Sequence, residues 1–185
     1  MSLALFTGAC RSGKSVLAQH WVERHGSRYL YLATAGRWPG DAEMDARIQA
    51  HQASRGPLWQ TLELAAASET GNLCAILGRL SDSFGPEDAI LIDCTTLWLA
   101  GLLDQHDDAE ILAQVDALAV LLPTVPMTVA LVHNEVGWGL VPETPLGRRF
   151  RDLSGLCGQR LAAACDIVVL AVCGLPVVVK GHCAS

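Results

Sequence analysis

The stretch Phe6-Thr7-Gly8-Ala9-Cys10-Arg11-Ser12-Gly13-Lys14-Ser15 decides how this chain is read, because from Gly8 to Ser15 it fits the pattern G-x-x-x-x-G-K-[ST]. That pattern carries meaning only between a buried strand and a helix. Here Leu3-Ala4-Leu5-Phe6 precedes it, and Val16-Leu17-Ala18-Gln19-His20-Trp21-Val22 follows with helical spacing. Gly8 and Gly13 allow backbone conformations closed to residues with a Cβ. The amides from Gly8 through Ala9, Cys10, Arg11 and Ser12 to Gly13 are therefore expected to turn inward and cradle phosphate oxygens at a positive helix end. Lys14 is expected to reach the β- and γ-phosphates as the catalytic charge, and the Ser15 hydroxyl to ligate Mg²⁺. A Gly-rich turn that only joins a strand to a helix is the plainer reading, and the complete pattern with both flanks disfavours it.

Length and composition bound the rest. The 185 residues, 51% of them hydrophobic, suit one domain spanning 1–185 with a sizeable core, since domains usually hold about 100–200 residues. The formal charge of −6 and pI near 5.4 argue against a nucleic-acid surface. Seven cysteines, an odd number without CxxC spacing, fall largely in apolar runs and read as reduced core thiols of a cytoplasmic protein. Neither a targeting signal nor a membrane span is expected, because the longest apolar runs are interrupted by Asp, Pro or Gly well short of about 18–20 residues.

In order, the chain alternates strand and helix. A helix over about Lys14 to Arg24 leads to a buried strand Tyr29–Ala33, then a loop with Trp38, Pro39 and Gly40 and a helix from Asp41 to Ser54. Trp59–Leu64 reads as a short strand and Ser68–Ser83 as a helix despite Gly71 and Gly78. Thr96–Leu103 continues apolar. Asp107–Leu122 carries Ile111, Leu112, Val115, Leu118 and Leu122 on one helical stripe. Met127–Val132 is a buried strand closing on His133-Asn134-Glu135. Val136–Pro142 is a loop, and Pro145–Cys165 a helix bearing Arg148, Arg149, Arg151 and Arg160. Ile167–Val172 is the last central strand, and Val177–Lys180 an antiparallel edge beside it. The expected fold is α/β, a mostly parallel doubly wound sheet of P-loop NTPase type with helices on both faces and a short antiparallel edge near the C-terminus.

A second piece of chemistry ends the strand Ala89-Ile90-Leu91-Ile92 at Asp93. The continuous apolar run suits a parallel strand covered on both faces. An acid at that strand end is placed to hold or orient the Mg²⁺ water shell beside Ser15. Four apolar residues before an Asp also arise by chance, and the pairing with Gly8–Ser15 gives this one its weight.

The segments TGACRSGKS, YLATA, EMDARIQAHQASR, LIDCTTLWL, HNEVGWGLVPETPLGRRFRDLSGLCGQRLAAACD and VCGLPVVVK run nearly end to end. They resemble the bifunctional adenosylcobinamide kinase / adenosylcobinamide-phosphate guanylyltransferase family of cobalamin biosynthesis. The resemblance implies that the chain phosphorylates the aminopropanol hydroxyl of the corrinoid adenosylcobinamide with ATP or GTP, then transfers GMP through a guanylylated histidine, and that it forms a homotrimer. It implies His51 as the GMP acceptor and places Thr34, Arg55, Glu63 and Asp93 around the nucleotide. Neutral imidazole is a nucleophile and is mostly deprotonated near neutral pH. From spacing alone His51, three residues after Ile48 on an apolar helix side, reads first as a packed core histidine, a reading that the resemblance reverses, and Arg55 and Glu63 read equally as solvated charges. The loop departs from the family's common Gly-Gly-Ala-Arg by having Gly8-Ala9-Cys10-Arg11, which sets an oxidation-sensitive thiol beside the phosphates. Trp38-Pro39-Gly40 stands where a more acidic stretch is expected.

Two other classes fit the residues. A P-loop kinase of another small alcohol needs no His51, and a non-enzymatic nucleotide switch turns over slowly without an acceptor.

Overall fold

The computed structural model describes residues 2–34, 55–64 and 72–182. The helix expected over Asp41–Ser54, with His51 on it, the Trp38-Pro39-Gly40 loop and the start of the helix expected from Ser68 lie outside the described residues. Seven strands form one sheet in the order β3-β2-β4-β5-β1-β6-β7. They are β1 (Leu3–Gly8), β2 (Arg28–Ala33), β3 (Trp59–Glu63), β4 (Asp88–Asp93), β5 (Thr128–Asn134), β6 (Ile167–Val172) and β7 (Leu175–Lys180). All neighbouring pairs are parallel except β6 with β7.

The period of two in the central strands divides the core. Leu3 and Leu5, Ile90 and Ile92, Val129 and Leu131 face one layer, while Ala4 and Phe6, Ala89 and Leu91, Ala130 and Val132 face the other. On the first face lie α2 (Leu73–Ser81), α3 (Thr95–Leu102), α4 (Asp108–Leu121) and α5 (Pro145–Ala164), which contribute Leu73, Leu77, Leu99, Ile111, Leu118, Leu153 and Leu161 to the core. On the second lies α1 (Lys14–His25) with Ala18, Trp21 and Val22. Helices thus cover both faces, as the alternation of elements predicts.

Local chemistry sets the helix ends. Asp107 accepts from the Glu110 amide at 2.9 Å and Glu110 accepts from the Asp107 amide at 3.0 Å, a reciprocal cap that starts α4. Asn72 Oδ1 accepts from the Ala75 amide and caps α2. Thr144 accepts from the Gly147 amide, and Pro145 follows in the first turn of α5. The basic face of α5 is divided between two tasks. Arg149 and Arg160 pair with Asp108 and Asp116 of α4, whereas Arg148 and Arg151 reach back to carbonyls of the loop before the helix.

Two assignments differ from the sequence expectation. The apolar run after β4 is the helix α3, with Trp98, Leu99 and Leu102 buried and Leu97 partly exposed. A helix apolar on nearly all sides has no period to read. The segment after β5 opens with a single 3-10 turn at Val136–Trp138 where only a loop is expected.

Candidate functional site

Parallel strands place every loop that follows them at one sheet edge, and the phosphate loop leaves the centre of that edge. β1 is flanked by β5 and β6 and buried along its length. At its end Gly8 has φ 150°, Arg11 φ 56° and Gly13 φ 91°, so the chain passes three times through conformations that suit glycine or a tight turn. Gly13 is the N-cap of α1, which puts the amides of Lys14 and Ser15 at the positive end of the helix. Lys14 is 6% exposed and donates to the Ala9 carbonyl at 3.0 Å, holding its ammonium against the loop. Ser15, the second residue of α1, is partly exposed, while Ala9, Cys10 and Arg11 are exposed. The Ser12 hydroxyl is buried without a hydrogen-bond partner among the described residues.

Two contacts that brace this loop were not legible in the sequence. Thr7 Oγ1 donates to Glu135 Oε1 at 2.6 Å, and the Glu135 amide donates to the Gly8 carbonyl at 3.0 Å, so the end of β5 is tied to the end of β1. On the other flank, the β6–β7 turn is docked on the loop through Gly174 N–H to Ser12 O at 2.9 Å. A Cβ on Gly13 would lie 2.9 Å from the Gly174 Cα, and one on Gly8 would lie 2.7 Å from both the Ala171 carbonyl and Ser12 Oγ. Glycine is required at 8 and 13 by close packing as well as by backbone angle.

A second group of side chains collects on the neighbouring strands of the same edge. Thr34, just past β2, is buried; its hydroxyl donates to the Cys94 carbonyl at 2.6 Å and its amide to the Asp93 carbonyl at 3.2 Å. Thr34 therefore locks the ends of β2 and β4 together. Arg55 lies with its guanidinium carbon 3.5 Å from the centroid of the Tyr31 ring, a cation–π contact. Burial pushes the Arg55 guanidinium below its ordinary range, opposed by Tyr31 and Asp93. Burial, followed by the charge of Asp93, pushes the Tyr31 phenol above its ordinary range, so Tyr31 stays protonated. Glu63 closes β3 opposite Ala33, which itself pairs with Asp93. Arg55 is thus half-buried on an aromatic platform. Tyr31 is the residue that sequence reasoning missed, since tyrosines at 29 and 31 of an apolar strand signal only core.

Asp93 and the phosphate loop share the edge but not adjacent strands, because β5 lies between β4 and β1. Two strand spacings amount to about 10 Å. That separation suits a carboxylate acting on a metal's water shell better than one ligating beside Ser15. The donors fit magnesium, which takes oxygen ligands and keeps several waters: the Ser15 hydroxyl and the Asp93 carboxylate are both oxygen groups. Among the described residues no cluster of three or more His, Cys, Asp or Glu forms a cage made of protein alone. Asp93→Asn is expected to raise the Mg²⁺ concentration for half-maximal turnover about tenfold or more, with nucleotide binding much less affected. An unchanged Mg²⁺ titration would reduce Asp93 to a strand-end acid.

His133, at the end of β5, is closed off from solvent by the residues around it. It is 2% exposed, with Nδ1 2.9 Å from Thr95 Oγ1 and Nε2 3.3 Å from Ser154 Oγ. Burial pushes its pKa below the ordinary histidine range, which keeps the ring neutral. A Cβ on Gly158 would stand 3.2 Å from Nε2, so α5 is packed directly on the ring. His133 joins β5, α3 and α5.

Residues 4–179 match the family model described as cobinamide kinase / cobinamide phosphate guanyltransferase. The chain belongs to this family. It is 37% identical over 178 residues to the bifunctional adenosylcobalamin biosynthesis protein CobP of Pseudomonas aeruginosa, covering 96% of this chain and 97% of that one. It is 37% identical over 191 residues to the bifunctional adenosylcobalamin biosynthesis protein CobU of Salmonella typhimurium, covering 96% and 99%. A solved Pyrococcus horikoshii structure superposes with a TM-score of 0.59 at 8% identity, over 98% of this chain and 87% of that one, a likeness of fold alone. Membership in the cobinamide kinase family agrees with the fold described above and with the resemblance read from the segments. No helix among the described residues is long and apolar enough to cross a membrane.

Proposed function

We propose that this chain phosphorylates adenosylcobinamide with ATP or GTP and then converts the phosphate to adenosylcobinamide-GDP by way of GMP bound to His51. The observation that carries the reading is the built phosphate loop, with Gly8 and Gly13 in glycine-only geometry and Lys14 held inside it, on a chain matching the cobinamide kinase family from residue 4 to 179.

In the first step the acceptor hydroxyl oxygen attacks the γ-phosphorus, the bond from that phosphorus to the β–γ bridging oxygen breaks, and nucleoside diphosphate leaves while the hydroxyl proton passes to solvent. The loop amides and Lys14 hold the β- and γ-phosphates and offset the charge that gathers on the leaving oxygen. Ser15 would ligate Mg²⁺ and Asp93 would orient its water shell, and the ion would supply further charge compensation on the phosphates. In the second step an imidazole nitrogen of His51 attacks the α-phosphorus of GTP and pyrophosphate leaves. A phosphate oxygen of the phosphorylated corrinoid then attacks that same phosphorus, the P–N bond breaks, and His51 is restored. Thr34, Arg55, Glu63 and Asp93 bind the nucleotide in this reading, supported by their gathering at the ends of β2, β3 and β4.

The same reading makes the enzyme a cytoplasmic homotrimer. The free thiols of Cys10 and Cys173 on the surface accord with a reducing compartment. The edge strand β7, exposed at every residue and rich in valine, accords with cover by another copy. The test is product analysis. Protein, adenosylcobinamide, Mg²⁺ and ATP are expected to give the monophosphate, and addition of GTP to convert it to the GDP derivative with release of pyrophosphate. Accumulation of the monophosphate alone would leave a kinase without the second activity, and turnover of a different alcohol alone would replace the acceptor.

A further inference from the structure

Past the end of β5 the chain shows solvent an apolar surface that the phosphoryl chemistry does not use. Trp138 is 65% exposed, Leu140 95%, Val141 62% and Leu146 52%. Four large apolar side chains within one short stretch are more than scattered surface residues, and soluble proteins keep such patches for binding. The stretch is also held in shape. Arg151 Nη2 donates to the Gly137 carbonyl at 3.1 Å, and Arg148 Nη1 donates to the carbonyls of Pro142 at 3.1 Å and Glu143 at 2.7 Å. Pro142 lies so close to α5 that a Cβ on Gly147 would meet its Cβ at 2.7 Å. Two guanidiniums and a close-packed proline therefore fix a loop whose apolar side chains find no cover among the described residues. Such a surface is organised before anything binds, which lowers the ordering cost of binding.

Its position names the occupant. Trp138, the first of these side chains, stands three residues after Glu135, whose amide is bonded to Gly8 and whose carboxylate holds Thr7, so the stretch leaves the sheet beside the start of the phosphate loop. An acceptor that brings a hydroxyl to the γ-phosphate must lay the remainder of its body on the protein surface beside that loop. A corrinoid body is a broad macrocycle with apolar faces and an amide-bearing rim. We propose that Trp138, Leu140 and Val141 form the platform on which the corrin macrocycle rests while its side arm reaches the phosphate loop. This assignment rests on the corrinoid kinase reading above. The apolar faces cover the exposed side chains, and the amide rim stays in water or meets the polar edge of the loop at Glu143 and Thr144.

The test uses the full-length protein with Trp138→Ser and Leu140→Ser combined, residues that contribute nothing to the core. Kinase KM for adenosylcobinamide and for ATP, equilibrium binding of cobinamide without nucleotide, and mass in solution are measured beside the wild type. The platform predicts that KM and Kd for the corrinoid rise about tenfold or more, as loss of two buried apolar side chains implies, while KM for ATP and the solution mass hold. Leu140→Met, which keeps the apolar area, is expected to retain nearly wild-type corrinoid affinity. Unchanged corrinoid KM and Kd in the double variant would overturn the platform, as would dissociation into smaller assemblies, which would make this loop an interface with a second copy. A wild type that neither binds nor phosphorylates the corrinoid would instead overturn the acceptor assignment itself.

Discussion

Lys14→Ala is expected to lower the rate of phosphoryl transfer about a hundred- to a thousandfold with the fold intact. Removing one preorganised group that meets developing charge costs roughly that much in other transfer enzymes, and the proposed place of Lys14 is on the β- and γ-phosphates, as in other phosphate loops. The structure gives the reason it cannot be replaced by a freely moving charge. Lys14 is buried at the first turn of α1 and bonded to the Ala9 carbonyl, so its ammonium is placed before substrate arrives. Alanine is the best helix former, and truncation there leaves Ala18, Trp21 and Val22 of α1 in the core. A wild-type melting curve with turnover lost is the expected pair of results. Near-normal turnover in the folded variant would remove the phosphate loop from the chemistry.

His51→Ala is expected to abolish guanylyl transfer while phosphoryl transfer persists. The first reaction needs the loop, Lys14 and a positioned hydroxyl, and the second needs a nucleophile that carries GMP between two displacements. His51→Asn separates the two losses a histidine variant can cause, because asparagine keeps polarity without a titrating ring. Both variants are expected to accumulate the corrinoid monophosphate and to take up no GMP. A competing assignment to His133 is disfavoured by its burial among Thr95, Ser154 and Gly158. Guanylyl transfer at the wild-type rate in folded His51→Ala would refute the acceptor role.

Much of the fold was legible because the strands are short apolar runs that end on polar residues at one sheet edge. β4 closes on Asp93 and β5 on Asn134, and β1 runs into a motif whose glycines allow little else. The helix α4 announced itself by its stripe, and the structure adds that Asp107 is its cap rather than its first residue. The run over α3 did not, because a helix buried on most sides has no polar face to set its period. Strand order was also beyond reach, so the separation of Asp93 from the phosphate loop by β5 emerged only with the sheet. The site was legible where chemistry and sequence are adjacent, from Gly8 to Ser15. It was not legible where partners meet across the fold, as in Thr7 with Glu135, Gly13 with Gly174 and Arg55 with Tyr31. No local pattern records those pairs, whose members are brought together by crossover connections.

In the proposed function one chain with one phosphate loop runs two group transfers, the second through a covalent histidine. The most direct measurement is incubation of the wild-type protein with α-³²P-labelled GTP and Mg²⁺ without corrinoid, followed by denaturation and counting. One GMP per chain is expected, with equimolar pyrophosphate and a bond that acid breaks and alkali spares, because protonation of its nitrogen turns imidazole into a good leaving group. Addition of the corrinoid monophosphate is predicted to discharge the label into product. A protein competent in phosphoryl transfer that takes up no α-label, or whose label survives acid, would contradict it.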